Sequence, residues 1–154
     1  MYKSELINYI NQDKYSKNIF CGVKALNELP KIKIIKPCAF IVNTEKSDKR
    51  GEHWFSIYIP TYGPIEYFDS FGRRPQHEEV YNFLKINDNK YIYNKKPIQN
   101  YFSDTCGYYC LLYIFLRSRK LSLYKIVNIF VKHRDINDKI IVKLFNKLNK
   151  LKYT

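Results

Sequence analysis

An α+β fold, with helices bracketing a central and mainly antiparallel sheet, is predicted by two features of the chain. Short runs of β-branched and aromatic residues fill its middle, and two of them are joined by the turn TYGP. Segments with apolar residues at helical spacing lie before and after them. At 154 residues, with neither a linker nor a repeat, residues 1–154 suit one domain able to bury a core.

Taken in order, SELINYINQD suits a short helix with Ser4 as its cap. FCGVKALNELP reads as irregular or briefly helical. CAFIVNT reads as a buried strand ending in the polar turn TEKSDKRGE, and HWFSIYIP alternates as a second strand should. IEYFDSFG follows the TYGP turn and makes a hairpin with it. QHEEVYNFLK suits a helix, KYIYNKKPIQ a further strand, and NYFSDT a polar loop. A helix is expected from Cys106 through Arg119, then another over SLYKIVNIFVKH. In DKIIVKLFNKLNKLKY, Ile140, Ile141, Leu144, Phe145, Leu148 and Leu151 recur at helical spacing with lysines between them.

Composition narrows the function classes. Hydrophobic residues make up 45% of the chain and aromatics 17%, which suits a globular domain. No apolar run reaches membrane-spanning length, and the N-terminus carries no apolar signal-peptide core, so neither a membrane protein nor a secreted one is expected. The four cysteines, Cys21, Cys38, Cys106 and Cys110, are therefore expected as free thiols in a reducing compartment. Without a C-x-x-C pair they are poor metal ligands, and no metal or small-molecule cofactor is expected. A net charge of +13 points to polyanionic company, or to a merely solvated basic surface.

The segment DTCGYYCLLYIFLRS places a thiol at the polar edge of an apolar helix rather than inside it. There the unpaired N–H groups and the positive end of the helix dipole converge, an environment that favours negative charge. Such a thiolate needs a base. His53 stands at the start of one strand and Asp69 at the end of its hairpin neighbour, so both can lie at one end of the sheet. Asp69 can then orient the imidazole while the other ring nitrogen faces Cys106. Gln99, seven residues before the cysteine, can bring its amide back beside the Cys106 N–H as an oxyanion hole. Taken singly, His53 is better read as a sheet histidine, Asp69 as a turn acid, Gln99 as a surface amide and Cys106 as a small core residue. Their joint occurrence at compatible element ends favours the catalytic set.

A rival set, Cys21-Gly22 with His133 and Asn137, follows the papain order, but no glutamine stands shortly before Cys21.

At these residues the chain resembles the adenovirus-type endopeptidases (adenain), cysteine proteases related to the ubiquitin-like-protein proteases. The resemblance runs over about residues 19 to 116, through FCG, CAFIVNT, GEHWFSIYI, YFDSFGRRP and QNYFSDTCGYYC. It implies the protease fold of that family and catalytic roles for His53 before Trp54, Asp69, Gln99, and Cys106 before Gly107. Trp54 is then a wall of the site, although a core tryptophan fits as well. The adenovirus enzyme has glutamate where this chain has Asp69. It also binds an activating viral peptide through a cysteine in an interval that, from Phe71 to Ile98 here, contains none.

The same resemblance implies a monomeric maturation protease of the virion and the infected cell, cytoplasm or nucleus. Its substrates would be viral structural or core precursors cut at small, glycine-containing sites. DNA, a viral peptide, or both are implied as activators. Lys139, Lys143, Lys147 and Lys150, opposite the apolar stripe of the last helix, are the candidate DNA contacts. Two other functions fit the same residues less closely: a protease removing ubiquitin or a ubiquitin-like modifier from host proteins, and a non-enzymatic nucleic-acid-binding module.

Overall fold

The computed structural model describes residues 1–45 and 53–151. Helix α1 (Lys3–Asn11) precedes strands β1 (Phe20–Ala25), β2 (Cys38–Asn43), β3 (Trp54–Ile59) and β4 (Ile65–Phe68). Helix α2 (Glu78–Ile86) and the short strand β5 (Tyr91–Tyr93) follow, then helices α3 (Cys106–Ser118), α4 (Leu123–Asn128) and α5 (Arg134–Leu151). The strands lie in sequence order, β1-β2-β3-β4-β5. Its centre is antiparallel, β2 with β3 and β3 with β4, and its two edges are parallel, β1 on β2 and β5 on β4. The α+β class is as expected, but the sheet is evenly mixed rather than mainly antiparallel.

Alternation along the strands divides the core into two layers. Ala39, Ile41, Tyr58 and Phe68 face a cluster filled by α1, α3, α4 and α5. Cys38, Phe40, Val42, Phe55, Ile57, Ile59, Ile65 and Tyr67 face a second cluster closed by Val80, Phe83 and Leu84 of α2. All six residues of β2 are buried, because helices cover both faces of the sheet and leave its strands no polar side. α3 lies across the sheet: Tyr113 stacks on Phe68 at 4.6 Å, and Arg117 pairs at 2.8 Å with the buried Glu66.

Several local expectations are corrected. FCGVKALNELP begins with strand β1, which pairs through its backbone with β2 despite Gly22. Ser4 is not a cap: α1 begins at Lys3, and the Tyr2 N–H donates to the Glu5 carboxylate at 2.5 Å. On α5, Ile141 and Phe145 are buried, whereas Ile140, Leu144 and Leu151 are exposed, since the layer beneath is only wide enough for part of the stripe. The polar turn expected over 44–52 falls mostly outside the described residues, as do the last three residues of the chain.

The expectation of four free thiols is also overturned. The parallel pairing of β1 on β2 brings the Cα atoms of Cys21 and Cys38 to 5.8 Å, and the two form a disulfide. Cys106 and Cys110 are free and buried.

Candidate active site

Three elements converge on the site. β3 begins just after His53, β4 ends just before Asp69, and the antiparallel pairing of these strands sets the two residues side by side. His53 Nε2 and Asp69 Oδ1 are 2.9 Å apart. The other hydrogen-bond partner of the imidazole is the thiol of Cys106, the first residue of α3. With Nε2 engaged by the carboxylate, it is Nδ1 that meets the sulfur. Burial opposes a charged imidazole here, but the bonds to Asp69 and Cys106, with their negative charges, outweigh it and push the His53 pKa up to about 9. The geometry thus favours a protonated imidazole beside sulfur.

Cys110, one turn further along α3, is a useful contrast. It is fully buried, and burial pushes its thiol pKa up. A thiol in that place is inert packing. The papain-order set does not assemble: Cys21 is tied to Cys38, His133 is exposed, and the Asn137 amide donates to the carbonyls of Ile98 and Val131.

Asp69 is positioned by residues that the sequence did not reveal. Asn94, just past β5, accepts from the Asp69 N–H at 2.9 Å and donates to the Asp69 carbonyl at 2.6 Å, so it grips the backbone on both sides. The Phe71 N–H donates to Asp69 Oδ1 at 2.8 Å, the oxygen that also faces His53. Gly72 completes the turn at φ +70°, packed so closely on 95–97 that a Cβ there would lie 2.7 Å from the Pro97 nitrogen. No sequence signal marks Asn94, whose role depends on the parallel pairing of β5 with β4.

Gln99 is fully buried next to this turn. Its Oε1 accepts from Ser70 Oγ at 2.5 Å, and its Nε2 donates to the Ser103 carbonyl at 2.9 Å and to Ser103 Oγ at 3.1 Å. The amide is therefore aimed into the loop that leads to Cys106, but both its hydrogens are engaged there. The Gln99 amide that the sequence offered as an oxyanion donor is thus held by Ser103.

The start of α3 is steered from α5. The buried Asp138 accepts from Thr105 Oγ1 at 3.2 Å, Tyr109 Oη at 2.7 Å and the Asn100 N–H at 3.2 Å. Trp54 is half-buried against the first core cluster, and its Nε1 donates to the Met1 carbonyl at 3.3 Å. A Cβ on Gly107 would come 3.0 Å from the Met1 sulfur, so Met1 lies beside both Trp54 and Gly107. The four lysines of α5 share one place as well. Lys139, Lys143, Lys147 and Lys150 line a cleft of about 670 Å³ whose wall includes Thr105, the residue before Cys106.

Among the described residues no helix is long and apolar enough to cross a membrane.

No protein-family model and no curated protein matches the chain. Among solved structures it is similar to the crystal structure of the selenomethionine ASFV pS273R protease, at 26% identity and a TM-score of 0.44. That match covers 67% of this chain and 43% of the other, so it takes in less than half of that protease.

Proposed function

We propose that the protein is a cysteine endopeptidase with Cys106 as nucleophile. One observation carries the proposal: a thiol at a helix start shares a half-buried imidazole with a carboxylate 2.9 Å from its other nitrogen. In this reading Cys106 Sγ bonds to the scissile carbonyl carbon. The His53 proton passes to the leaving amine as the C–N bond breaks. A water, deprotonated by His53, then hydrolyses the thioester and restores the thiol.

Asp69 keeps the imidazole oriented and stabilises its charged form. Gln99 serves the oxyanion by exchanging its Ser103 hydroxyl contact for the developing charge, together with the Cys106 N–H. The resemblance makes Trp54 and Gly107 a wall of the site, and Met1 lies beside both. The resemblance to adenovirus-type endopeptidases extends the proposal to a viral maturation protease acting on structural precursors at glycine-containing sites. The lysine cleft beside Thr105 supports DNA as its activating polyanion.

The test is direct. The protein is incubated with a thiol-directed peptide analogue and with candidate precursors, and new N-termini are mapped by mass spectrometry. Labelling and cleavage that require Cys106 are expected. Cleavage unchanged in Cys106→Ala would remove the assignment. Preferential reaction with a glycine-terminated ubiquitin probe over precursor peptides would instead favour a modifier-removing protease.

A further inference from the structure

Next to the catalytic pair lies a run of aromatic rings and arginines that the proposed chemistry does not use. The His53 imidazole stacks on Phe71 with centroids 4.6 Å apart, and Phe71 meets Tyr101 at 5.3 Å. Two guanidinium groups close on this run. Arg73 lies 4.9 Å from Phe71 and 5.8 Å from Tyr101, and Arg134 lies 4.6 Å from Tyr101 on its own. Tyr101 is 49% exposed and Phe102 fully exposed, so the loop tip shows aromatic surface to solvent beside the site.

The two arginines are not neutralised. Among the described residues neither forms an ion pair. The acids on the same helix are already engaged: Asp135 takes the Asn100 amide, and Asp138 takes Asn100, Thr105 and Tyr109. Arg134 Nη1 is moreover buried without any hydrogen-bond acceptor. A buried, unpaired donor on a charged group is costly, and native structures rarely retain one without a ligand or water to satisfy it. The group that best satisfies a guanidinium is a carboxylate, which can accept two parallel N–H bonds.

We infer that Arg134 and Arg73, with Phe71 and Tyr101, form a subsite for an acidic side chain of the peptide substrate close to the scissile bond. Asp or Glu would bring its carboxylate to the accessible edge of the half-buried Arg134 guanidinium, and its methylene groups would lie against the exposed part of the Tyr101 ring. The ring-to-ring steps from His53 through Phe71 to Tyr101 span no more than three extended residues at about 3.3 Å each. Arg134 lies a further 4.6 Å beyond Tyr101, a step that the acidic side chain itself spans, so the acidic residue is placed within about three positions of the cleaved bond. This inference rests on the cysteine-protease reading above and adds a substrate class to it.

Proteome-derived peptides are incubated with the protein, using Cys106→Ala as the blank, and cleavage sites are mapped by mass spectrometry. A cleaved peptide is then resynthesised with Glu or Gln at each of three positions on either side of the bond. At one position Glu is expected to exceed Gln in kcat/KM by roughly tenfold or more, as a charge-assisted bond requires. The ratio should fall to near one in Arg134→Gln and decrease in the exposed Arg73→Gln. In Arg134→Glu a Lys peptide should overtake the Glu peptide, a reversal that lost bracing of the loop would not produce. Equal cleavage of Glu and Gln peptides at every position would overturn the subsite and leave the protease intact. A ratio that survives both glutamine variants would overturn it too. No Cys106-dependent cleavage of any peptide would overturn both readings.

Discussion

His53 lies between two acids, the Asp69 carboxylate on Nε2 and the Cys106 thiol on the other nitrogen. Its pKa of about 9 lies above the ordinary value of 6.5, so the folded protein holds this proton more tightly than the unfolded chain. The stabilisation is complete below about pH 6.5 and fades as pH rises through about 9. In Asp69→Asn the imidazole midpoint, followed by NMR, should fall well below 9. The stability gap between wild type and variant, from urea unfolding, should be larger at pH 6 than at pH 10. Cleavage should drop by about 10³–10⁴-fold, as when an orienting acid is lost and the wrong tautomer forms. An unshifted midpoint would make Asp69 a turn residue only. For the thiols, a small alkylating reagent should label Cys106 and spare the fully buried Cys110, and Cys110→Ala should retain cleavage. Gln99→Ala should lower kcat by roughly 10²-fold with little change in KM, while a pure KM effect would place it in substrate binding.

Single elements act mainly by aiming these side chains. The turn after β4 is fixed from two directions, by Asn94 on the Asp69 backbone and by the packing of Gly72 on 95–97. Gly72→Ala puts a Cβ within 3 Å of three backbone atoms at a positive φ, so neither strain nor clash can relax by moving a flexible side chain. A loss of about 2–4 kcal/mol in unfolding free energy is expected, with activity lost alongside it. Asn94→Ala removes two bonds to buried backbone groups and should cost about 2 kcal/mol. Wild-type stability in either variant would show that the turn is held by something else. Here the sequence was only partly legible: YFDSFG places the acid and the glycine, but nothing in KYIYNKK marks Asn94, because its partners lie 25 residues away.

Over the whole molecule, charge is concentrated where the chain alone suggested only spacing. A net +13 spread along the sequence gathers four lysines of α5 into one cleft beside the start of α3. If DNA is an activator, duplex of any sequence should raise the cleavage of precursors, and the gain should vanish steeply between roughly 50 and 200 mM salt. Glutamate at Lys139, Lys143, Lys147 and Lys150 together should remove the stimulation and spare the cleavage of a short free peptide. Binding without a change in rate, or stimulation indifferent to salt, would leave the charge outside the mechanism.

By itself the sequence determined what depends on neighbours along the chain. Strands β2, β3 and β4 follow from runs of β-branched and aromatic residues, and α3 and α5 from helical periodicity. The helix start at Cys106 was legible because the polar SDT precedes it and an apolar segment follows. The meeting of His53 with Asp69 was legible too, since a hairpin with a short turn leaves few registers. The tertiary structure decided what depends on residues far apart. It set β1 parallel to β2 and so joined Cys21 to Cys38, and it turned the Gln99 amide toward Ser103. It also drew Arg73 and Arg134, 61 positions apart by their numbers, onto one tyrosine beside His53. Local propensity is shared by every strand of similar composition, so it cannot choose between partners. That choice belongs to pairwise packing and to the need of each buried polar group for a partner, and both exist only once the chain has closed on itself.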